Sequence, residues 1–167
     1  LLITSVASGD FFGTSRAINV ADLIMRAGRP VLVVPPNVNK LALDWALVAW
    51  KDTREARRAI ADALPLLQSA GQVRIVEMVE ETADWAAARL RLADVVAWLG
   101  THGVRAQAAP EITNPNDPDQ LGSIATEQGA DLVVAGAYGH SRMREWVLGG
   151  VTCSLLQGQQ RCSLVSH

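Results

Sequence analysis

Two cysteines, Cys153 and Cys162, are the whole thiol complement of this chain of 167 residues. That is too few for a disulfide framework, and neither has the close Cys and His neighbours of a zinc site. Both read as small core fillers in a reducing compartment. No apolar run approaches the ~20 residues of a membrane helix. There is no basic start followed by an apolar stretch and a small-residue cleavage site, so a cytoplasmic setting is expected. A charge excess is missing too: 15 Lys and Arg stand against 17 Asp and Glu, a net charge of −2, and nothing draws in a nucleic-acid backbone. His102, His140 and His167 lie far apart, without metal spacing. A Ser–His–Asp signature, a nucleophile elbow and a Walker loop are all absent. No residue is placed as a poised general base.

What is present is an ordinary globular balance, 49% hydrophobic and 19% charged, at about the length of one domain. Short apolar runs alternate with helical patterns. Leu1 to Ser5 is the first run, then a helical stretch over roughly 17–27, then a β-branched strand within Pro30 to Pro36. After a linker over 37–44 come strands at Trp45 to Trp50, Val73 to Val79, Val104 to Ala109, Leu132 to Gly136 and Ser163 to Ser166. Between them lie helices at Arg54 to Ser69, Ala83 to Gly100, Asp119 to Gln128 and Gly149 to Gln157. Thr53 is placed to cap the first of these, Pro65 to kink its end and Gly71 to stop it. Strict β-α alternation from Trp45 onward predicts an open parallel sheet with helices on both faces. Ligands of such sheets bind beyond the carboxyl ends of the strands, where strand order reverses.

The start of the chain echoes its end. Leu1-Leu2-Ile3-Thr4 matches Leu132 to Ala135, Leu23 to Pro30 matches Leu155 to Cys162, and Val31-Leu32-Val33 matches Ser163-Leu164-Val165. The expected organisation is a strand–helix–strand remnant of a first repeat plus linker over 1–40, then a complete domain over 41–167. The chain opens Leu1-Leu2-Ile3 without Met, as a fragment of a longer tandem protein would.

The stretch from Leu132 to Thr152 carries the chemistry. A strand ends at Gly136; Gly139, His140, Ser141, Arg142 and Arg144 follow, and Gly149-Gly150-Val151-Thr152 opens a helix. Glycines let backbone N–H groups approach an anion closely, and a helix N-terminus adds oriented donors. A phosphate cradle is one reading; glycines that merely make turns are the other.

Gly136-Ala-Tyr-Gly139-His-Ser-Arg, then Trp146-Val-Leu-Gly149-Gly-Val-Thr152, resembles the Gly-x2-Gly-x9-Gly nucleotide loop of the universal stress protein family. Gly129-Ala-Asp-Leu-Val-Val134 and Leu47-Val-Ala-Trp-Lys51-Asp-Thr-Arg-Glu-Ala56 are similar to that family's fourth-strand lead-in and first strand and turn. The resemblance covers about residues 44–167. It implies an adenine nucleotide alpha hydrolase-like fold: a five-stranded parallel sheet of order 3-2-1-4-5. It also implies a site at the carboxyl ends of strands 1, 2 and 4 for ATP or AMP, with Mg as a companion.

Carried over by position, Gly136, Gly139 and Gly149 form the phosphate loop, with His140, Ser141 and Arg142 in its variable part and Val151 and Thr152 after it. Trp50, Lys51, Asp52 and Thr53 follow strand 1, and Val79 offers backbone to the adenine. Two positions depart from the pattern: Gly150 stands where Ser or Thr is usual, and Lys51 where Asp is usual. Glu77, Glu80 and Glu81 read as a solvated loop or as acceptors near the nucleoside. In the first repeat Ser5 and Ser8 replace the glycines, so no second cradle is expected. The Trp residues are assigned mainly to the core, with Trp146 in the loop.

The expected function is a nucleotide-gated stress-response adaptor with at most weak ATP hydrolysis. The alternative is a non-nucleotide-binding dimerisation or scaffold module. A flavoprotein-like electron carrier using the same crevice is a third reading. The family also associates through its outermost strand, here Ser163-Leu164-Val165 or Val31-Leu32-Val33; in a tandem chain the two copies would pair with each other through it, making an internal pseudo-dimer, and an unidentified protein partner is implied.

Overall fold

In the computed structural model, residues 1–5, 20–114, 116–117, 119–137 and 161–167 are described. Their strands are β1 (Leu2–Ser5), β2 (Val31–Val34), β3 (Trp45–Trp50), β4 (Gln72–Val79), β5 (Ala106–Ile112), β6 (Leu132–Gly136) and β7 (Cys162–Ser166). The helices are α1 (Val20–Arg26), α2 (Arg54–Ser69), α3 (Trp85–Thr101) and α4 (Gln120–Glu127). One 3₁₀ turn, Thr82–Asp84, leads into α3.

The strands form one seven-stranded sheet of order β1-β2-β7-β6-β3-β4-β5. Within it, β5-β4-β3-β6-β7 is parallel throughout and reproduces the expected 3-2-1-4-5 order. The two strands of the expected remnant, β1 and β2, extend this five-stranded sheet to seven. β2 lies antiparallel against β7, with Val31 opposite Val165 and Leu32 opposite Leu164. β1 then adds in parallel, Leu2 opposite Val31. The reason is the cost of an open edge: unpaired N–H and C=O groups on β2 and β7 satisfy one another. Thus Val31–Val33 and Ser163–Val165, the segments expected to associate as outermost strands, pair within this chain.

Alternation along the strands sorts the core into two faces. Ala46, Val48, Ile75, Leu132, Val134 and Leu164 pack under α2 and α3 with Ile60, Leu67, Leu92 and Leu99. Leu47, Val76, Val133 and Ala135 face α4 through Leu121, Ile124 and Ala125. Val20, Ala21 and Ile24 of α1 cover Val31, Val33 and Val165. Burial of each large side chain contributes about 1.5–3 kcal/mol.

α2 begins where Thr53 Oγ1 accepts the Ala56 N–H at 3.3 Å, as its sequence predicts. It runs unbroken through Pro65 to Ser69, and Ala70 ends it in an extended conformation. Gly71 acts through space rather than through a left-handed turn: a Cβ there would lie 2.9 Å from the Asp44 carbonyl oxygen. The backbone N–H of Gly71 donates to Leu43 O at 2.9 Å and that of Gln72 to Asp44 O at 3.0 Å. At the same end of the sheet, Asp131 Oδ2 accepts from the backbone N–H groups of Asp44 (2.7 Å) and Trp45 (3.0 Å), locking β3 to β6.

β5 departs most from expectation. It starts at Ala106 and continues through Pro110 to Ile112. Proline has no N–H to donate, but an edge strand needs only one side paired, and Pro110 sits opposite Glu77 on β4. Cys162 is buried and its thiol is pushed up by burial. Trp50 is in the core, whereas Trp98 is exposed, which corrects its assignment to the interior. Among the described residues, no helix is long and apolar enough to cross a membrane.

Candidate functional site at the carboxyl ends of the strands

The period of two places Trp50, Glu77, Val79, Gly136 and Ser166 on the α2/α3 face at the carboxyl ends of β3, β4, β6 and β7. Gly136 is the closest approach. A Cβ built on it would lie 2.6 Å from both the Ala56 nitrogen and the Glu55 carbonyl carbon. No other residue fits there without moving the first turn of α2, so β6 and the α2 N-terminus are brought together by the absence of a side chain. Beside it, Ser166 Oγ donates to Asp62 Oδ2 at 2.7 Å, and the Ala137 N–H donates to Ser166 O at 2.7 Å.

After β3 the backbone turns sharply: the Thr53 N–H donates to Lys51 O at 2.7 Å. Lys51 and Asp52 are exposed and Thr53 half-buried. The Asp52 carboxylate accepts from the Arg57 guanidinium, one helical turn into α2. Glu55, in the first turn of α2, is held below the ordinary carboxyl range. Its own backbone N–H lowers it most, burial opposes, and Arg54 at 3.1 Å adds to the lowering.

Val79 closes β4, and its carbonyl accepts the Thr113 N–H at 2.8 Å. Two residues earlier, Glu77 is 5% exposed and takes a forked ion pair from Arg91 of α3, Nη2 to Oε1 at 2.6 Å and Nε to Oε1 at 3.0 Å. That contact raises Arg91 above its ordinary range. Glu77 therefore belongs to a strand and a buried pair, not to a solvated loop; Glu80 and Glu81 are exposed as expected. Gly139, His140, Ser141, Arg142, Gly149, Gly150, Val151 and Thr152 lie outside the described residues, as do Ser8 and Trp146.

Sequence reasoning missed one feature. A cavity of about 420 Å³ opens between α2 and α3, with Trp50 and Asp52 on the β3 side and Arg91, Asp94 and Trp98 on α3. The signal was the spacing of those three residues, which share one helix face. Among the described residues, no group of three or more His, Cys, Asp or Glu side chains is placed to hold a metal ion.

No family model matches the sequence, and no curated protein matches it. Solved structures do. The universal stress protein UspA from Lactobacillus plantarum superposes with a TM-score of 0.64 at 15% identity, over 75% of this chain and 98% of that one. A universal stress protein from Archaeoglobus fulgidus gives 0.62 at 21% identity, over 82% of this chain and 49% of that longer one. A universal stress protein in complex with cAMP gives 0.57 at 22% identity, over 74% and 96%. The α/β alternation, the strand order and these superpositions lead to one conclusion: the chain has the fold of the universal stress proteins.

Proposed function

We propose that this chain is a universal stress protein that binds an adenine nucleotide, ATP or AMP, at the carboxyl ends of β3, β4 and β6. The observation that carries the reading is Gly136: the first glycine of the Gly-x2-Gly-x9-Gly pattern stands where a Cβ would strike the α2 N-terminus. In the reading, Gly136, Gly139 and Gly149 bring backbone N–H groups to the phosphates. His140, Ser141, Arg142, Gly150, Val151 and Thr152 line the loop, and Arg142 supplies a cation. Trp50, Lys51, Asp52 and Thr53 face the nucleoside, and Val79 offers backbone to the base. Mg accompanies ATP through its phosphates. The cAMP complex of a protein with this fold supports an adenine ligand.

The role is that of a cytoplasmic adaptor read by a protein partner when nucleotide is bound, not of a committed enzyme. Residues 1–40 represent the end of a first repeat and 41–167 a complete second one; the antiparallel β2–β7 junction supports this division. The second reading, a scaffold module without nucleotide, is favoured by one observation: the Asp52 carboxylate is already engaged by Arg57. Purified protein, denatured and analysed by ion-exchange chromatography, separates the two when combined with calorimetric titration by ATP. Retained nucleotide or saturable binding is expected. Protein free of nucleotide that takes up none at millimolar ATP refutes the reading in favour of the scaffold.

A further inference from the structure

The cavity between α2 and α3 has a character of its own. At about 420 Å³ it falls within the range of small-molecule pockets. Its walls include Ile60 of α2 and Val95 of α3, both buried, with Trp50 at the strand side and Trp98 on α3. Trp98 is 38% exposed, and its ring is braced by His102, whose ring centroid lies 4.3 Å away. The indole N–H of Trp50 is buried and has no acceptor among the described residues.

The charges on the lining are unequal in availability. Both cations are already neutralised, Arg57 by Asp52 and Arg91 by Glu77. Asp94, one helical turn before Trp98, is exposed and makes no ion pair or hydrogen bond among the described residues. The free charge at the cavity is therefore negative, beside an aromatic face. A carboxylate next to an indole selects a flat cation, through Coulomb attraction and the ring quadrupole. Phosphates are disfavoured by the same carboxylate.

We propose that the α2–α3 cavity is a binding site for a planar heteroaromatic cation of two or three fused rings, stacked on Trp98 with its charge on Asp94. The site shares Trp50 and Asp52 with the nucleotide proposal but not the glycine loop, and it selects the opposite charge. It does not rest on the nucleotide reading.

The test uses harmine, a three-ring β-carboline with a methoxy oxygen, in mildly acidic buffer where it is cationic, with binding read by its fluorescence. Saturable binding to the full chain is expected. Asp94→Asn and Trp98→Ala should each weaken it about tenfold, or ~1.4 kcal/mol. Glu127→Gln, on an exposed position of α4, should leave it unchanged. Anthracene-9-carboxylate, of like shape and opposite charge, should bind at least about tenfold more weakly than harmine. Gly139→Val should leave harmine binding intact, which keeps this site distinct from the nucleotide loop. The proposal is overturned by absence of saturable binding, by equal affinity in Asp94→Asn and Trp98→Ala, by equal affinity for the anthracene acid, or by loss in Gly139→Val.

Discussion

Gly136 and Ala56 stand so close that a methyl group on the first would lie 2.6 Å from the backbone nitrogen of the second. The contact joins the end of β6 to the start of α2. Gly136→Ala must therefore push the helix away from the strand, and a loss of roughly 1–3 kcal/mol is expected, the usual cost of overpacking. Urea unfolding measures it. Gly100→Ala is the matched control. That glycine lies within α3 with open space around it, so the substitution is expected to be neutral or stabilising by up to about 1 kcal/mol, the helix preference of Ala over Gly. Equal losses at both positions would contradict the close-approach account.

The Glu77–Arg91 pair makes a second prediction. The Glu77 side chain is 7% exposed and that of Arg91 35%. Removing the cation leaves a buried carboxylate unpaired, whereas removing both leaves an apolar contact. Arg91→Met is expected to cost roughly 1–3 kcal/mol, and the double variant Glu77→Met, Arg91→Met to recover most of it. The solvent access of the Arg91 head keeps the figure at the lower end for ion pairs. Chemical denaturation of the three proteins closes the cycle.

The pH dependence of stability follows from Glu55. Its folded-state pKa lies below the ordinary value of 4.5, so between the two values the unfolded chain binds more protons. The carboxylate therefore stabilises the fold fully above 4.5, and this contribution is lost as pH falls through the folded value. Glu55→Gln is expected to be less stable than the parent at neutral pH, with the gap narrowing in acid. Parallel thermal melts across that range check the sign. A gap that widens on acidification would contradict it.

Much of the fold is legible in the residues, for identifiable reasons. β3 and β6 are short apolar runs bounded by polar or glycine residues, and their ends fall at Trp50 and Gly136 as read from the sequence. α2 announces itself through Thr53 and the spacing of Ala56, Ile60, Ala63 and Leu67. The shift of β5 past Pro110 was not legible, because a proline ends a strand unless one side of that strand is free of partners, and edge position is a tertiary fact. The joining of β2 to β7, by contrast, was legible: both are apolar strands with an open edge, and in a tandem chain two such edges pair with each other. At the site, Gly136 was legible as a glycine with a purpose, but its neighbour Ala56 lies 80 positions earlier in the sequence. The strand to Val79 is legible in its residues, but Glu77 groups with Glu80 and Glu81 because its partner, Arg91, lies on the next helix and the pairing is a tertiary fact. The spacing of Arg91, Asp94 and Trp98 puts them on one face of α3, but that a cavity opens beside that face depends on how α2 packs against it.

The most direct test of the central claim, nucleotide binding through the glycine loop, is thermal unfolding with and without Mg-ATP in the parent and in Gly139→Val. A ligand that binds only the folded state adds RT ln(1 + [L]/Kd), about 2.7 kcal/mol at 100-fold excess over Kd. The account predicts a rise in melting temperature that saturates with ATP in the parent and is absent in Gly139→Val. An unchanged melting temperature at millimolar ATP, or an equal rise in both proteins, would contradict it.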